Sequence, residues 1–280
     1  SGYSALYANT TACQNVALGN EALCSNTTAN NNNAVGFRTL KSNTTGANNT
    51  GIGNGALHDN TTGACNTAVG SGAIDTNTTG CFNTAVGYYS LQANTTANNN
   101  TAVGACSLYA NTTGTCNTAI GFSALVANTT ACNNVAVGLE GLSTATTGSH
   151  NTAIGTKSLA KLTTGAKNVA LGFRTMCSIT TGVNNVALGA FTLDGNTTGH
   201  CNTASGYAAM YSNTTGCNNA AYGDCALHDN TTGCLNVAIG RHALVNNTTA
   251  NNNTAVGACS LYANTTGTRI TAVGFKALAA

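Results

Sequence analysis

The sequence contains no proline and no tryptophan, and only 6% of its 280 residues are charged. The net charge of +2 creates no field that would attract nucleic acid or an anionic membrane surface. No apolar run is long enough for membrane insertion, and no signal peptide is visible. The chain begins at Ser1 without a methionine, which indicates a processed product or a piece of a longer protein. Apolar residues still make up 42% of the chain and recur at fixed places, which argues against disorder.

The sequence also lacks the groupings on which most catalytic and cofactor sites depend. Its seven acidic residues are dispersed, so no carboxylate pair for acid–base catalysis is implied. C-x-x-C spacing, clustered phosphate-binding glycines and stacked aromatic residues are absent, which argues against zinc, nucleotide and nucleic-acid sites. His58–Asp59 and His228–Asp229 recur in H-D-N-T-T-G, but consecutive side chains usually point apart, and we interpret them as solvated surface residues. We expect neither an enzyme nor a bound cofactor.

What the sequence has in abundance is one repeat of 17 residues. A glycine marks it without insertion or deletion, which gives sixteen complete coils and a stub. With that glycine as position 0, the consensus is G-x-x-A-L-x-x-N-T-T-G-x-x-N-T-A-V, which ends at position 16. Such strict periodicity is typical of units that stack because none can bury its apolar face alone. The position-0 residues are Gly2, Gly19, Gly36, Gly53, Gly70, Gly87, Gly104, Gly121, Gly138, Gly155, Gly172, Gly189, Gly206, Gly223, Gly240, Gly257 and Gly274.

Each position of the repeat carries a structural expectation. Position 4 is leucine in fourteen of seventeen cases, and position 16 is Val, Ile or Leu in most coils, so both are predicted to face the core. Position 15 is alanine in fifteen of sixteen coils, which indicates that a larger side chain has no room there. The invariant glycine of position 0 predicts positive φ or a close backbone approach. Glycine or alanine at position 10 predicts a second tight corner.

These features predict an all-β fold, a parallel β-solenoid (a β-helix or β-roll) with 17-residue coils and about sixteen coils. It would form a single uninterrupted repeat domain over residues 1–280. The N-T-A-V-G segment favours a β-strand, whereas the x-x-A-L segment fits either a strand or one helical turn. Coils joined by parallel ladders would lie about 4.8 Å apart.

Polar residues recur as strictly as the apolar ones. Threonine fills positions 8 and 9 in all sixteen coils, and asparagine fills position 13 in fifteen and position 7 in thirteen. Stacked identical side chains form ladders that would hold the corners of the solenoid. Two alternatives are ice binding by the threonine array and N-glycosylation, because N-T-T is an acceptor sequon, although sugars one coil apart would crowd each other. The candidate glycosylation sites are Asn9, Asn26, Asn43, Asn60, Asn77, Asn94, Asn111, Asn128, Asn196, Asn213, Asn230, Asn247 and Asn264.

Three consecutive coils depart from this pattern. Ala145, Leu162 and Ile179 take the place of the position-7 asparagine, and basic residues cluster near them in the sequence. Drift within a tolerant array accounts for this change. The functional alternative is a lateral contact patch for a neighbouring chain or a ligand, formed by Leu162, Ile179, Lys157, Lys161, Lys167 and Arg174.

Thirteen cysteines in a chain with so little charge favour an oxidising location, either extracellular or at the cell surface. Three cysteine pairs share one diagonal, sixteen residues apart at positions 12 and 11 of adjacent coils. Neighbours in adjacent coils lie about 5–6 Å apart, which matches the Cα spacing of a disulfide, so we predict bridges there. Cys217 and Cys234 share position 11 in adjacent coils and compete with the third pairing. The predicted pairs are Cys65–Cys81, Cys116–Cys132 and Cys201–Cys217.

The unit N-T-A-V-G-x-x-A-L-x-x-N-T-T-G runs through the whole chain and resembles repeats of tail-fibre-like surface proteins. Its N-V-A-L-G and N-T-A-I-G cores, at Asn15–Gly19 and Asn117–Gly121, are similar to the S-V-A-I-G motif of trimeric autotransporter adhesin heads. The resemblance implies a left-handed parallel β-roll, usually trimeric, that binds host or environmental surfaces.

The leading functional hypothesis is a structural subunit of an extracellular fibre that assembles by head-to-tail stacking. The first coil and the last stub, Gly274–Ala280, follow the repeat like the others, and uncapped strand edges favour the addition of another solenoid. The alternative is a surface adhesin or tail-fibre-like module that binds glycans or, less expected, ice. The expected partners are further copies of the chain, in a filament or a trimer, and glycans.

Overall fold

The computed structural model describes all 280 residues and contains sixteen three-residue strands and no helix. None of its segments is a helix with the length and apolarity needed to cross a bilayer. The chain divides into two compact units, Ser1–Glu140 and Gly141–Ala280, which are described separately. The first unit contains β1 (Val16–Leu18), β2 (Asn33–Val35), β3 (Thr50–Ile52), β4 (Thr67–Val69), β5 (Thr84–Val86), β6 (Thr101–Val103), β7 (Thr118–Ile120) and β8 (Val135–Val137). The second contains β9 (Thr152–Ile154), β10 (Val169–Leu171), β11 (Val186–Leu188), β12 (Thr203–Ser205), β13 (Ala220–Tyr222), β14 (Val237–Ile239), β15 (Thr254–Val256) and β16 (Thr271–Val273).

Neighbouring strands within each unit are parallel, and their paired residues lie seventeen positions apart. Thr67 of β4 pairs with Thr84 of β5 in the first unit, and Val169 of β10 pairs with Val186 of β11 in the second. The amide of Thr67 donates to the carbonyl of Asn83 at 2.8 Å, and equivalent bonds recur from coil to coil. One repeat is therefore one turn of a parallel β-solenoid, and the predicted fold class is confirmed. The prediction of a single domain over residues 1–280 stays a prediction.

Position 4 faces the core, as predicted, and position 15 is buried as well, but position 16 is not. Leu57 at position 4 and Ala68 at position 15 are fully buried. Leu18 and Ile52 at position 16 are 51% and 44% exposed, so the inward prediction for that position is wrong. Side chains alternate along a strand, and the alanine in the middle of three residues faces inward. Both flanking positions, 14 and 16, therefore face outward.

The x-x-A-L segment is neither a strand nor a helical turn, because two of its residues have left-handed backbone conformations. Position 4 has positive φ in each coil, for example 54° at Leu57 and 53° at Leu227, and position 2 does likewise. Left-handed φ costs an ordinary residue about 1–2 kcal/mol. Burial of a leucine side chain contributes about 1.5–3 kcal/mol, so the buried leucine offsets the strain of its own turn.

The invariant glycine allows successive coils to approach closely. Gly53 has a φ of 131°, and a Cβ added to it would lie 2.6 Å from the carbonyl oxygen of Gly70 in the next coil. The predicted positive φ and close approach at position 0 are both confirmed. Gly63, at position 10, is buried and has no positive φ, and the bend of this corner lies at the two threonines directly before it, Thr61 and Thr62.

Candidate functional site

The position-7 asparagines form a buried column of amides. In a representative coil, the Asn60 Nδ2 donates to Asn43 Oδ1 of the preceding coil at 2.8 Å. The same nitrogen donates to the carbonyl of Gly63, three residues later, at 2.9 Å. One amide thus links two coils and closes its own turn, and the predicted structural ladder is confirmed.

A second amide column at position 13 runs beside the first. The backbone amide of Asn66 donates to Asn49 Oδ1 at 3.0 Å, and Asn49 Nδ2 donates to the Gly63 carbonyl of the next coil at 2.8 Å. The Gly63 oxygen therefore accepts one bond from each column, since Asn60 also donates to it. Buried carbonyl and amide groups are costly to leave unpaired, and here both columns donate to the same backbone carbonyl.

The same burial argues against sugars on the candidate sequons. Eleven of the thirteen asparagines are fully buried, whereas Asn9 is exposed and Asn264 is half-buried. A glycan replaces one amide hydrogen and needs space outside the fold, so it would break the column and expel the side chain. The predicted N-glycosylation is therefore incompatible with the folded coils at Asn26, Asn43, Asn60, Asn77, Asn94, Asn111, Asn128, Asn196, Asn213, Asn230 and Asn247.

The two threonines of each coil have different surroundings. At position 8, Thr44 Oγ1 donates to the carbonyl of Thr61 in the next coil at 3.0 Å, and Thr61 Oγ1 donates to the carbonyl of Thr78 at 2.8 Å. At position 9, the threonine is exposed in all sixteen coils. Position 8 is thus structural, and position 9 gives one outward row of hydroxyl and methyl groups.

The outward face of the strands carries a second regular array. In five successive coils of the first unit, position 14 is threonine and position 16 is valine or isoleucine, and both side chains lie partly or fully in solvent. By strand geometry, the rows repeat about every 4.8 Å along the ladder and the two columns lie about 6.6 Å apart. The array consists of Thr50, Thr67, Thr84, Thr101, Thr118, Ile52, Val69, Val86, Val103 and Ile120.

No disulfide joins any of the thirteen cysteines, so the diagonal bridges predicted for Cys65–Cys81, Cys116–Cys132 and Cys201–Cys217 are not formed. The reason is that a position-11 thiol lies over position 11 of the preceding coil, not over position 12. The Cys81 sulfur contacts the amide of Ala64 at 3.3 Å, and the Cys217 and Cys234 sulfurs lie 3.0 Å apart. The hydrogen bond with Cys234 raises the pKa of the Cys217 thiol. Cys217–Cys234 is thus the pair closest to disulfide geometry.

The predicted lateral patch does not form a continuous surface. Leu162 and Ile179 are fully buried, because position 7 faces the core whichever residue occupies it. Lys157, Lys161 and Lys167 are exposed. The fourth basic residue, Arg174, is half-buried, and its Nη2 lies 3.3 Å from Asp194 Oδ2. The two apolar members therefore belong to the core, and only the basic members face solvent.

Both histidine–aspartate pairs are hydrogen-bonded, so the expectation that their side chains point apart is wrong. His58 Nδ1 lies 2.7 Å from Asp59 Oδ1, and His228 Nδ1 lies 2.6 Å from Asp229 Oδ1. The two pairs occupy equivalent positions 5 and 6 of their coils, which explains the common geometry. Such a pair orients an imidazole, which is one element of many sites but not a site by itself.

His58 also lines a surface cleft of about 330 Å³ in the first unit. The cleft lies where position 2 is glycine in two successive coils, Gly55 and Gly72, and the ring of Tyr89 packs against Gly72. Arg38 and Asp75 line it as well, and burial raises the pKa of Asp75. Sequence reasoning missed this cleft, and two glycines exactly one repeat apart at a position of variable side chains are the signal that marks it.

The geometry thus shows a solenoid with two internal amide columns, an outward strand array and one charged cleft. The resemblance to tail-fibre-like proteins and to adhesin heads, with the trimer and the left hand that it implies, stays a prediction. No protein-family model, curated protein or solved structure matches this chain.

Proposed function

We propose that the chain is a structural segment of an extracellular fibre in which solenoids associate head to tail. The contact between successive coils carries this proposal. Thr67 N–H donates to the following coil, and Gly70 N–H donates to the Ile52 carbonyl of the preceding coil, each at 2.8 Å. Every coil thus presents the same donors and acceptors to its two neighbours, and a contact between chains would repeat a contact already made within the chain.

The amide columns give this contact a direction. In each hydrogen-bonded asparagine pair at position 7, the nitrogen of the later coil donates to the oxygen of the earlier one, as Asn77 Nδ2 does to Asn60 Oδ1 at 2.6 Å. A donor face therefore fits an acceptor face, and two identical faces do not fit each other. Such a heterologous contact extends without closing, which is the geometry of a filament.

Electron microscopy and sedimentation at several concentrations test the proposal. Position-14 amides donate to the following coil, so Thr271→Pro removes a donor from the outer face of β16 without breaking a bond inside the chain. Thr271→Val keeps that amide and is the matched control. We expect filaments for the parent chain and Thr271→Val, and far fewer for Thr271→Pro. A parent chain that stays monomeric at every concentration contradicts the proposal.

A second candidate is a surface-binding module, favoured by the strand array of the first unit. Its threonine and valine or isoleucine side chains form two uncharged, evenly spaced outward columns. A flat array of hydroxyl and methyl groups suits an ordered surface, either ice or the apolar faces of glycans. An extracellular location, which the cysteine content favours, belongs to both candidates.

Ice-recrystallisation assays and a glycan array separate this candidate from a passive fibre. Thr84→Lys places a charge in the strand array, whereas Thr79→Lys places the same charge in the position-9 row of the same coil. If the strand array binds, Thr84→Lys abolishes the activity and Thr79→Lys retains it. A parent chain inactive in both assays rules out ice and the arrayed glycans as its ligands.

A further inference from the structure

The solenoid brings together three metal-ligating side chains that are distant in sequence. Cys225 and His242 occupy position 2 of successive coils of the second unit, with left-handed φ values of 50° and 56°. Because the two residues share a repeat position and a backbone conformation, their side chains leave the solenoid one above the other and in the same direction. The His242 amide donates to the Asp224 carbonyl at 2.9 Å, which fixes the two coils at this point.

The ligand atoms of Asp224, Cys225 and His242 all lie within 4.8 Å of one another. Asp224 Oδ1 lies 3.5 Å from the Cys225 sulfur, while its second oxygen lies 3.4 Å from Arg241 Nε. The guanidinium thus orients the carboxylate and leaves one oxygen facing the thiol. All three residues are half-buried, so an ion has access from solvent. The chain contains no other group of three such ligands.

We propose that Asp224, Cys225 and His242 bind a zinc-type divalent cation that clamps two successive coils. Zinc takes sulfur, imidazole nitrogen and carboxylate oxygen in a tetrahedral arrangement, and three protein ligands leave the fourth position to water. The thiolate selects zinc over calcium and magnesium, which prefer oxygen. On binding, the ion loses hydration waters, the Cys225 thiol releases one proton to solvent, and Arg241 continues to hold the outer carboxylate oxygen.

The repeat also explains why spacing rules argue against zinc in this sequence. Motifs such as C-x-x-C bring ligands together within one turn of chain. Here the ligands are two adjacent residues and a third that lies seventeen residues after the cysteine, which is one full coil. Positions 1 and 2, which hold the three ligands, are among the most variable of the repeat, so a ligand set there leaves the buried columns unchanged.

Cobalt(II) titration followed by absorption tests the site, because thiolate coordination gives an intense near-ultraviolet charge-transfer band and tetrahedral geometry gives strong visible bands. The parent for this test carries Cys217→Ser and Cys234→Ser, since that close thiol pair also binds soft metals. Cys225→Ser, His242→Gln and Asp224→Asn remove one ligand each. Cys106→Ser, at position 2 of a coil in the first unit without such neighbours, is the matched control.

We expect one equivalent of cobalt, displaced by zinc, with a charge-transfer band that disappears in Cys225→Ser. His242→Gln and Asp224→Asn should weaken binding more than about tenfold, because even residues behind the ligands change metal affinity by 10–100-fold. Zinc should raise the melting temperature of the parent and of Cys106→Ser but not of Cys225→Ser. Circular dichroism checks that each variant is folded. A charge-transfer band that survives in Cys225→Ser, or the absence of saturable binding in the parent, overturns the proposal.

Discussion

Two regions of the second unit fill the same buried position in opposite ways. In one, Asn213 donates to Asn196 Oδ1 at 2.9 Å as part of an amide column. In the other, Leu162 and Ile179 take the place of the asparagine and are equally buried. The backbone is unaffected, because the amide of position 7 donates to the carbonyl of position 4 in both regions, at 3.2 Å for Asn213 and 3.1 Å for Leu162. The coil therefore accepts either chemistry at its buried position 7.

The two regions differ in how many side-chain hydrogen bonds the neighbouring backbone carbonyl accepts. The Gly216 carbonyl accepts bonds from Asn213 and Asn202, at 3.0 and 2.8 Å, whereas a single asparagine side chain, Asn151, donates to the Gly165 carbonyl, at 3.0 Å. A carbonyl with one partner is tolerated more easily than an amide with none. Replacing asparagine by an apolar residue at position 7 therefore costs stability mainly at the coils where an amide column begins or ends. Asn128 shows this, since its buried Oδ1 has no hydrogen-bond partner.

The largest expected effect comes from breaking a column in its middle. Asn77→Leu leaves Asn60 Oδ1 without its donor at 2.6 Å and one N–H of Asn94 Nδ2 without its acceptor at 2.9 Å, while the bond from Asn94 Nδ2 to the Ala97 carbonyl remains. Each orphaned buried group costs about 1–3 kcal/mol, so the free energy of unfolding should fall by about 2–6 kcal/mol. Urea denaturation measures it. Ile179→Leu, an apolar exchange at the same position, is the control and should cost less than about 1.5 kcal/mol. Equal losses for the two variants would show that amide pairing is irrelevant.

How far the sequence predicts this architecture depends on the position considered. Position 4 was predictable because a recurrent leucine has few places other than the core, and Gly53 was predictable because only glycine fits its φ and close approach. Ile52 was assigned to the wrong face because side chains alternate between the two faces of a strand. A strand of three residues is too short for the sequence to show whether its middle or its outer residues are buried. The cysteine bridges failed because the predicted partners lie sixteen residues apart, whereas the seventeen-residue register stacks position 11 on position 11.

A smaller effect is expected when the broken column is extended. Adding Asn94→Leu to Asn77→Leu removes the Asn94 side chain. The N–H group that loses its acceptor is then on Asn111 Nδ2, which donates to Asn94 Oδ1 at 3.1 Å in the parent chain. The number of buried groups that lose a partner therefore stays the same. The second substitution should therefore cost less than about 1 kcal/mol, with a coupling energy in the range of about 0.5–3 kcal/mol. Asn26→Leu, three coils away, should instead add its full cost to that of Asn77→Leu. Additive losses for the adjacent pair would contradict the idea that the penalty lies at column ends.

The smallest expected effect concerns two carboxyl groups at position 5, one in the middle of an amide column and one in the coil where a column begins. Asp75 precedes Asn77 of an amide column, and Asp194 lies in the coil after Ile179. Burial raises the pKa of both carboxyl groups above the ordinary aspartate value, and for Asp194 it outweighs the opposing effect of Arg174.

A raised folded pKa means that the folded chain holds the proton more tightly than the unfolded chain. This contribution to stability is fully present below the ordinary aspartate pKa and is lost as pH rises through the folded pKa. Urea midpoints measured across that interval should therefore fall with pH, and Asp194→Asn and Asp75→Asn should each reduce the slope. If only one substitution changes it, the surroundings of that carboxyl, and not its place in the repeat, control its titration. If neither does, both carboxyl groups are solvated and their burial is not felt.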